Sequence, residues 1–294
     1  MEETLICQLC ETESPVKHRY CYWCGNPLNE EVSKKLTKGE AHKLLELSFG
    51  FEINNLIDQA IKAYTAILEV NPKYADVHFK LANALEANGK VGKAIHELQE
   101  AIHINPNYVE AHRKLGEIYI DQQLPDEAIR EFKTALSIKI NPRYADVYNN
   151  LGVANEIAGE IEEAISHYGE AIKINTYYAK AHFNLGNAYS SQEKHEKAVE
   201  EYRLALNSYP DDALCLNNLG IAFASMDNFE GAIDAFKESL LKKPDYFRAH
   251  HNLASAYLEV GKNEKAITEF ESALKLEPEN EEIKDIITQL KEEN

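Results

Sequence analysis

The chain has 294 residues, 49 Asp and Glu against 31 Lys and Arg, and a formal net charge of −18. That acidity disfavours nucleic acid as a broad partner, since phosphate affinity rests on Lys and Arg displacing counterions, and it disfavours an anionic membrane surface. A hydrophobic fraction of 44% with 16 Tyr and 10 Phe excludes wholesale disorder, and no apolar run approaches the roughly 20 residues of a bilayer span.

The opening residues Met-Glu-Glu-Thr-Leu-Ile-Cys show no basic stretch followed by an apolar one, so a cytoplasmic chain without a secretory leader is expected. Cys7, Cys10, Cys21 and Cys24 then form two Cys-x-x-Cys pairs, with Gly25 behind the second. A two-residue spacer lets both sulfurs of a pair reach one ion at about 2.3 Å, and four thiolates close a tetrahedral shell with no position left for water. Disulfides would need an oxidising compartment, and a redox pair would open a helix in a βαβ unit that this segment lacks. A structural Zn2+ is therefore the expected cofactor, with iron the less favoured metal and His18 surplus to a complete shell. Residues 1–28 resemble the small zinc ribbons found at the ends of many prokaryotic proteins, modules that serve docking, nucleic-acid binding and plain stapling alike. Lys17, His18, Arg19, Tyr20 and Trp23 add a basic, aromatic cluster, the basis of an alternative reading as a regulator touching RNA or DNA. Residues 29–40 form a polar connector in which Asn29 suits a helix cap ahead of Glu30 and Glu31.

From residue 41 a period of 34 takes over. Alanine recurs at 60, 94, 128, 164, 198, 232 and 266, and four residues later stand Tyr64, Leu98, Phe132, Tyr168, Tyr202, Phe236 and Phe270. Proline falls at 72, 106, 142, 210, 244 and 278, with Thr176 in the missing place. The pattern resembles the tetratricopeptide repeat, with repeats at 41–74, 75–108, 109–144, 145–178, 179–212, 213–246 and 247–280. That resemblance implies an all-α fold: a right-handed superhelix, or α-solenoid, of seven helix-turn-helix repeats. Small residues at repeat positions eight and twenty let helices A and B approach, the aromatic at twenty-four fills the space beside them, and Asn-Pro ends helix B. Repeat three is two residues longer before Pro142, so its helix B is expected to run on or kink. Tyr74, Tyr108, Tyr144, Tyr178 and Tyr246 close five linkers and are expected to plug the seams. Residues 281–294 place Ile283, Ile286, Ile287 and Leu290 on one face, which suits a capping helix over the last seam.

Little here suggests catalysis. The chain holds 11 histidines; His78, His112, His182 and His250 share position four of separate repeats and are read as packing residues, too far apart to share one ion. No HExxH, GxSxG or GxxxxGK[ST] motif occurs, and no convincing strand precedes a glycine-rich loop. Cys215 reads as a small buried hydrophobe. No enzymatic activity is expected.

The groove carries the functional expectation. In the family that the chain resembles, helix A lines the concave face, and position six reads Glu46, Lys80, Lys114, Asn150, Asn184, Asn218, Asn252. The four asparagines resemble the ladder of peptide-binding arrays, where an amide offers donors and an acceptor to the backbone of an extended segment. Asn149, Asn187 and Asn217 add amides; Val153, Phe183, Leu214 and Ile221 add apolar surface. Asp146, Glu156 and Glu259 against Lys180 and Arg248 nearly balance, so a near-neutral extended protein segment is the expected partner. A chaperone-tail clamp would find Arg113, Asn150 and Lys180 suitable, but Glu117 would repel a carboxylate and Asn184 stands where a cation is required. The expected function is a non-enzymatic adaptor or scaffold, the ribbon serving as staple or second docking module. A self-assembling scaffold is a second alternative, disfavoured by the polar C-terminal cap.

Overall fold

A computed structural model describes residues 4–6, 13–15, 38–53, 55–138 and 144–292. The four paired cysteines, the basic cluster and most of the connector lie outside them. Near the start, β1 (Thr4–Ile6) pairs antiparallel with β2 (Glu13–Pro15), Leu5 opposite Ser14. This hairpin adds two short strands ahead of the helical array. Its pairing ends at Pro15, a residue with no amide hydrogen to extend a ladder.

The helices fall into two compact units, residues 1–140 and 141–294. In the first, α1 (Lys38–Ile53) and α2 (Ile57–Val70), α3 (Ala75–Ala87) and α4 (Val91–Ile104), and α5 (Val109–Asp121) and α6 (Pro125–Ser137) form successive antiparallel pairs. In the second, the pairs are α7 (Ala145–Ile157) with α8 (Ile161–Ile174), α9 (Ala179–Ser191) with α10 (His195–Ser208), α11 (Ala213–Ala224) with α12 (Phe229–Lys242), and α13 (Phe247–Glu259) with α14 (Asn263–Leu276). The capping helix α15 (Glu281–Glu292) follows and buries Ile283 and Ile287 against the last pair, with Ile286 and Leu290 packed beside them. The helix of repeat three does not run on. It stops at Ser137, and Ile138 turns to extended backbone, the conformation that β-branched residues favour. The boundary between the units falls just beyond it.

The close approach within each pair has the expected origin. A Cβ added to Gly152 would lie 2.5 Å from the Tyr168 ring, and one on Gly220 would lie 2.5 Å from Phe236. Contacts that short force a shift in a close-packed interior. Between helices A and B, repeat position fifteen is left-handed in every repeat: Asn55, Gly89, Gln123, Gly159, Glu193, Asp227 and Gly261 all have positive φ. Around it the amide of Lys90 reaches back to the carbonyl of Leu85, and that of Leu124 to Tyr119, closing the end of helix A.

The four position-four histidines are not simple packing residues. His78, His112, His182 and His250 each place Nδ1 2.6–2.7 Å from a glutamate on helix B of the same repeat, respectively Glu97, Glu131, Glu201 and Glu269. Each Nε2 donates at 2.9–3.1 Å to the carbonyl of the preceding linker, from Pro72, Pro106, Thr176 or Pro244. One side chain thus ties three segments. The linker tyrosines divide: Tyr108 donates to Asp76 at 3.1 Å and packs its ring on Phe79, as a plug should, whereas Tyr74 is exposed.

Candidate functional site

The expected groove residues of the second unit come together on α7, α9, α11 and α13, helix A of repeats four to seven. Each helix turns the same face toward its neighbours because the period places one helix A after another at equal intervals. Their asparagines bond to one another first. Asn184 Nδ2 donates to Asn149 Oδ1 at 2.9 Å, Asn218 Nδ2 to Asn187 Oδ1 at 3.0 Å, and Asn252 Nδ2 to Asn217 Oδ1 at 3.0 Å. Asn149 in turn donates to Asn150 Oδ1 at 3.2 Å. Asn149 and Asn217 are buried in the seams between the helices, whereas the position-six asparagines stay half-buried beside exposed Leu214 and Ile221.

Asn184, Asn218 and Asn252 are each held through one Nδ2 hydrogen, and Asn218 Oδ1 also accepts from Asn217 Nδ2 at 3.5 Å. Among the described residues nothing donates to Asn184 Oδ1 or Asn252 Oδ1. The sequence reading missed the tyrosine beneath them. The buried Tyr202 hydroxyl donates to Asn187 Oδ1 at 2.8 Å and fixes that amide from below. Burial holds this phenol protonated, raising it well above its ordinary range. Tyr168 is raised too, by burial and by its 2.7 Å bond to Glu156, which is thereby occupied. The available signal was a tyrosine at position twenty-four, where phenylalanine packs equally well, combined with an amide at position nine.

Cavities line this face. One of about 240 Å³ is walled by Asn187, Ser190, Tyr202, Asn218 and Ile221, and one of about 330 Å³ by Asn218, Ile221, Phe247, Arg248, His251 and Asn252 with the start of α15. A third, of about 240 Å³, lies under Lys180, Phe183 and Tyr209. Cys215, which lines it, is buried as expected, its thiol pushed up to about 12 by burial and by Asp212. Among the described residues, no group of three or more His, Cys, Asp and Glu side chains is arranged to hold a metal, and no helix is long and apolar enough to cross a membrane.

Tetratricopeptide repeat profiles match residues 63–96, 87–123, 107–176, 177–240 and 223–290. Among solved structures, MamA is 30% identical, covering 56% of this chain and 95% of its own at a TM-score of 0.53. The chain belongs to the tetratricopeptide repeat family. PilF of Pseudomonas aeruginosa shares the fold at 16% identity, covering 73% of this chain and 97% of its own, TM-score 0.64. So does YrrB, described as a tetratricopeptide repeat protein with an unusual peptide-binding site, at 21% identity over 65% of this chain and 98% of its own, TM-score 0.55. No curated protein matches the chain significantly.

The tetratricopeptide repeats of the first unit offer a different face. Lys114 sits 2.6 Å from Glu86 and 4.0 Å from Glu117, and Arg113 bonds Glu117 at 2.7 Å. Lys80 also has a partner. Arg113 and Lys114 are thus engaged by neighbouring acids.

Proposed function

We propose that this protein is a non-enzymatic interaction scaffold whose repeats four to seven hold an extended segment of a protein partner. The supporting observation is the braced amide row. Asn184, Asn218 and Asn252 are each fixed through one Nδ2 hydrogen, so little rotamer freedom remains to be lost when the other amide groups meet a peptide backbone. Exposed Leu214 and Ile221 beside them supply apolar contact. The fold shared with a peptide-binding tetratricopeptide protein agrees with this reading.

We propose further that Cys7, Cys10, Cys21 and Cys24 hold one zinc ion that staples the N-terminal module. Its support is the donor set, four thiols of the kind zinc prefers, and the β1–β2 hairpin whose strands flank the first cysteine pair in sequence. Bound zinc would supply structural cross-linking and no chemistry of its own.

The test of the groove is to pan a random dodecapeptide display library on the full chain and measure the selected peptides against variants. Asn184→Ala with Asn218→Ala should weaken binding by about 1–3 kcal/mol, as expected for two lost hydrogen bonds. Lys80→Ala with Lys114→Ala should leave it nearly unchanged. The reverse outcome would move the site to the first unit.

A further inference from the structure

Position two of helix A marks one rim of the groove, and in repeats five to seven it reads Lys180, Leu214, Arg248. Lys180 and Arg248 are exposed, and neither joins an ion pair among the described residues. Many other basic groups in this unit are engaged: Lys242 meets Asp211 at 2.5 Å, Lys291 meets Glu271 at 2.8 Å, and Arg203 lies over the Phe223 ring. The acids beside the two cations form no ion pair with them. Asp212, at the Lys180 cavity, accepts the amides of Leu214 and Cys215 as the cap of α11. Glu282, exposed on the capping helix, lines the Arg248 cavity without forming an ion pair with Arg248. Each cation thus overhangs a recess with an apolar wall, Phe183 and Tyr209 under Lys180, Ile221 and Phe247 under Arg248.

An unpaired cation above an apolar recess suits a carboxylate-bearing side chain, whose stem packs on the wall while its head meets the charge. The two cations lie two helix steps apart. Packed helices are about 8–10 Å apart, and an extended chain advances about 3.3 Å per residue, so the interval spans about five or six residues. We propose that the segment held on repeats five to seven carries two acidic residues at that interval, one facing Lys180 and one facing Arg248, with an apolar residue between them over Leu214. This rests on the groove reading above and gives the partner its chemistry: a largely neutral extended strand with two anionic pegs.

The same dodecapeptide library tests it, panned separately on the wild-type full chain and on a Lys180→Glu, Arg248→Glu variant whose helix content matches. Wild-type selections should be enriched in Asp or Glu at two positions five or six apart, with an aliphatic or aromatic residue between. The variant should select Lys or Arg at those positions, and wild-type peptides should bind it about ten-fold more weakly, with the loss largest at low salt. Selected peptides that need Asn184 and Asn218 yet show no acidic pair, or that bind the charge-reversed variant equally well, would overturn this inference and leave the groove reading standing. Peptides indifferent to the asparagines, or no selection by the wild type, would overturn both.

Discussion

His112 is tied to Glu131 across its repeat and to the Pro106 carbonyl before it, and the chain contains its own control for that clamp. Wherever position four is His, the residue nineteen further on is Glu; where it is Leu44 or Leu216, the partner is Ala63 or Ala235, and all four of these are buried. The apolar pair therefore fills the same space. Replacing His112 by Leu alone should strand the Glu131 carboxylate, whose side chain is only 14% exposed, and cost about 1–3 kcal/mol in urea unfolding. Adding Glu131→Ala should recover most of that loss, because an apolar pair of suitable volume often matches a buried ion pair. The clamp is also a proton store. Burial would lower His112, but its bonds to Glu131 and the Pro106 carbonyl outweigh this and raise it above the ordinary 6.5. A raised folded value gives stability that is fully present below about pH 6.5 and is lost as pH climbs through the folded value. The stability gap between wild type and the Leu–Ala double variant should therefore shrink as the pH rises; a gap that widens would refute the clamp. The co-occurrence of His and Glu was present in the sequence, but reading His by helix face alone hides a partner on the other helix.

Among the elements, the turn from helix A to helix B shows what a periodic sequence conceals. Its left-handed position carries Gly in only three repeats, and Asn, Gln, Glu or Asp in the others, so no residue type announces the conformation. Gly159→Ala meets open space at φ +82 and isolates the backbone effect. It should lower stability by about 1 kcal/mol, while Glu193→Gly, from φ 58, should raise it by about 0.5–1 kcal/mol, since only glycine adopts this region without Cβ strain. Thermal unfolding of the two variants against wild type decides this; shifts in the same direction would contradict it. Helix limits were largely legible because alanine, aromatic and proline recur at fixed steps. The two-residue insertion in repeat three was visible, but its outcome was not: two isoleucines and a distant proline fit a prolonged helix as well as the stop at Ser137. The asparagine row was legible as composition alone. Which amide bonds which neighbour depends on interhelix spacing, and that is why Asn149 and Asn217 turned out to be seam residues.

At the scale of the whole molecule, a repeat array depends on contacts between neighbours, so a metal-held module at one end should come apart without unravelling the helices. Full-length protein purified without chelator should carry about one zinc per chain by elemental analysis, as a single closed four-thiolate site requires, and the Cys21→Ser, Cys24→Ser variant should carry none while keeping its helical circular dichroism. Loss of helix signal on chelation would make the N-terminal module part of the array's core. The central claim concerns which surface meets the partner. Ile221 is 40% exposed on α11, inside the amide row, and Leu241 is 78% exposed on α12, a helix B. A photoactivatable residue placed at either position in the full chain, and irradiated with a library-selected peptide, reads the surface directly. The account predicts an adduct from position 221 that excess unlabelled peptide suppresses, and none from position 241; an adduct from position 241 alone would contradict it.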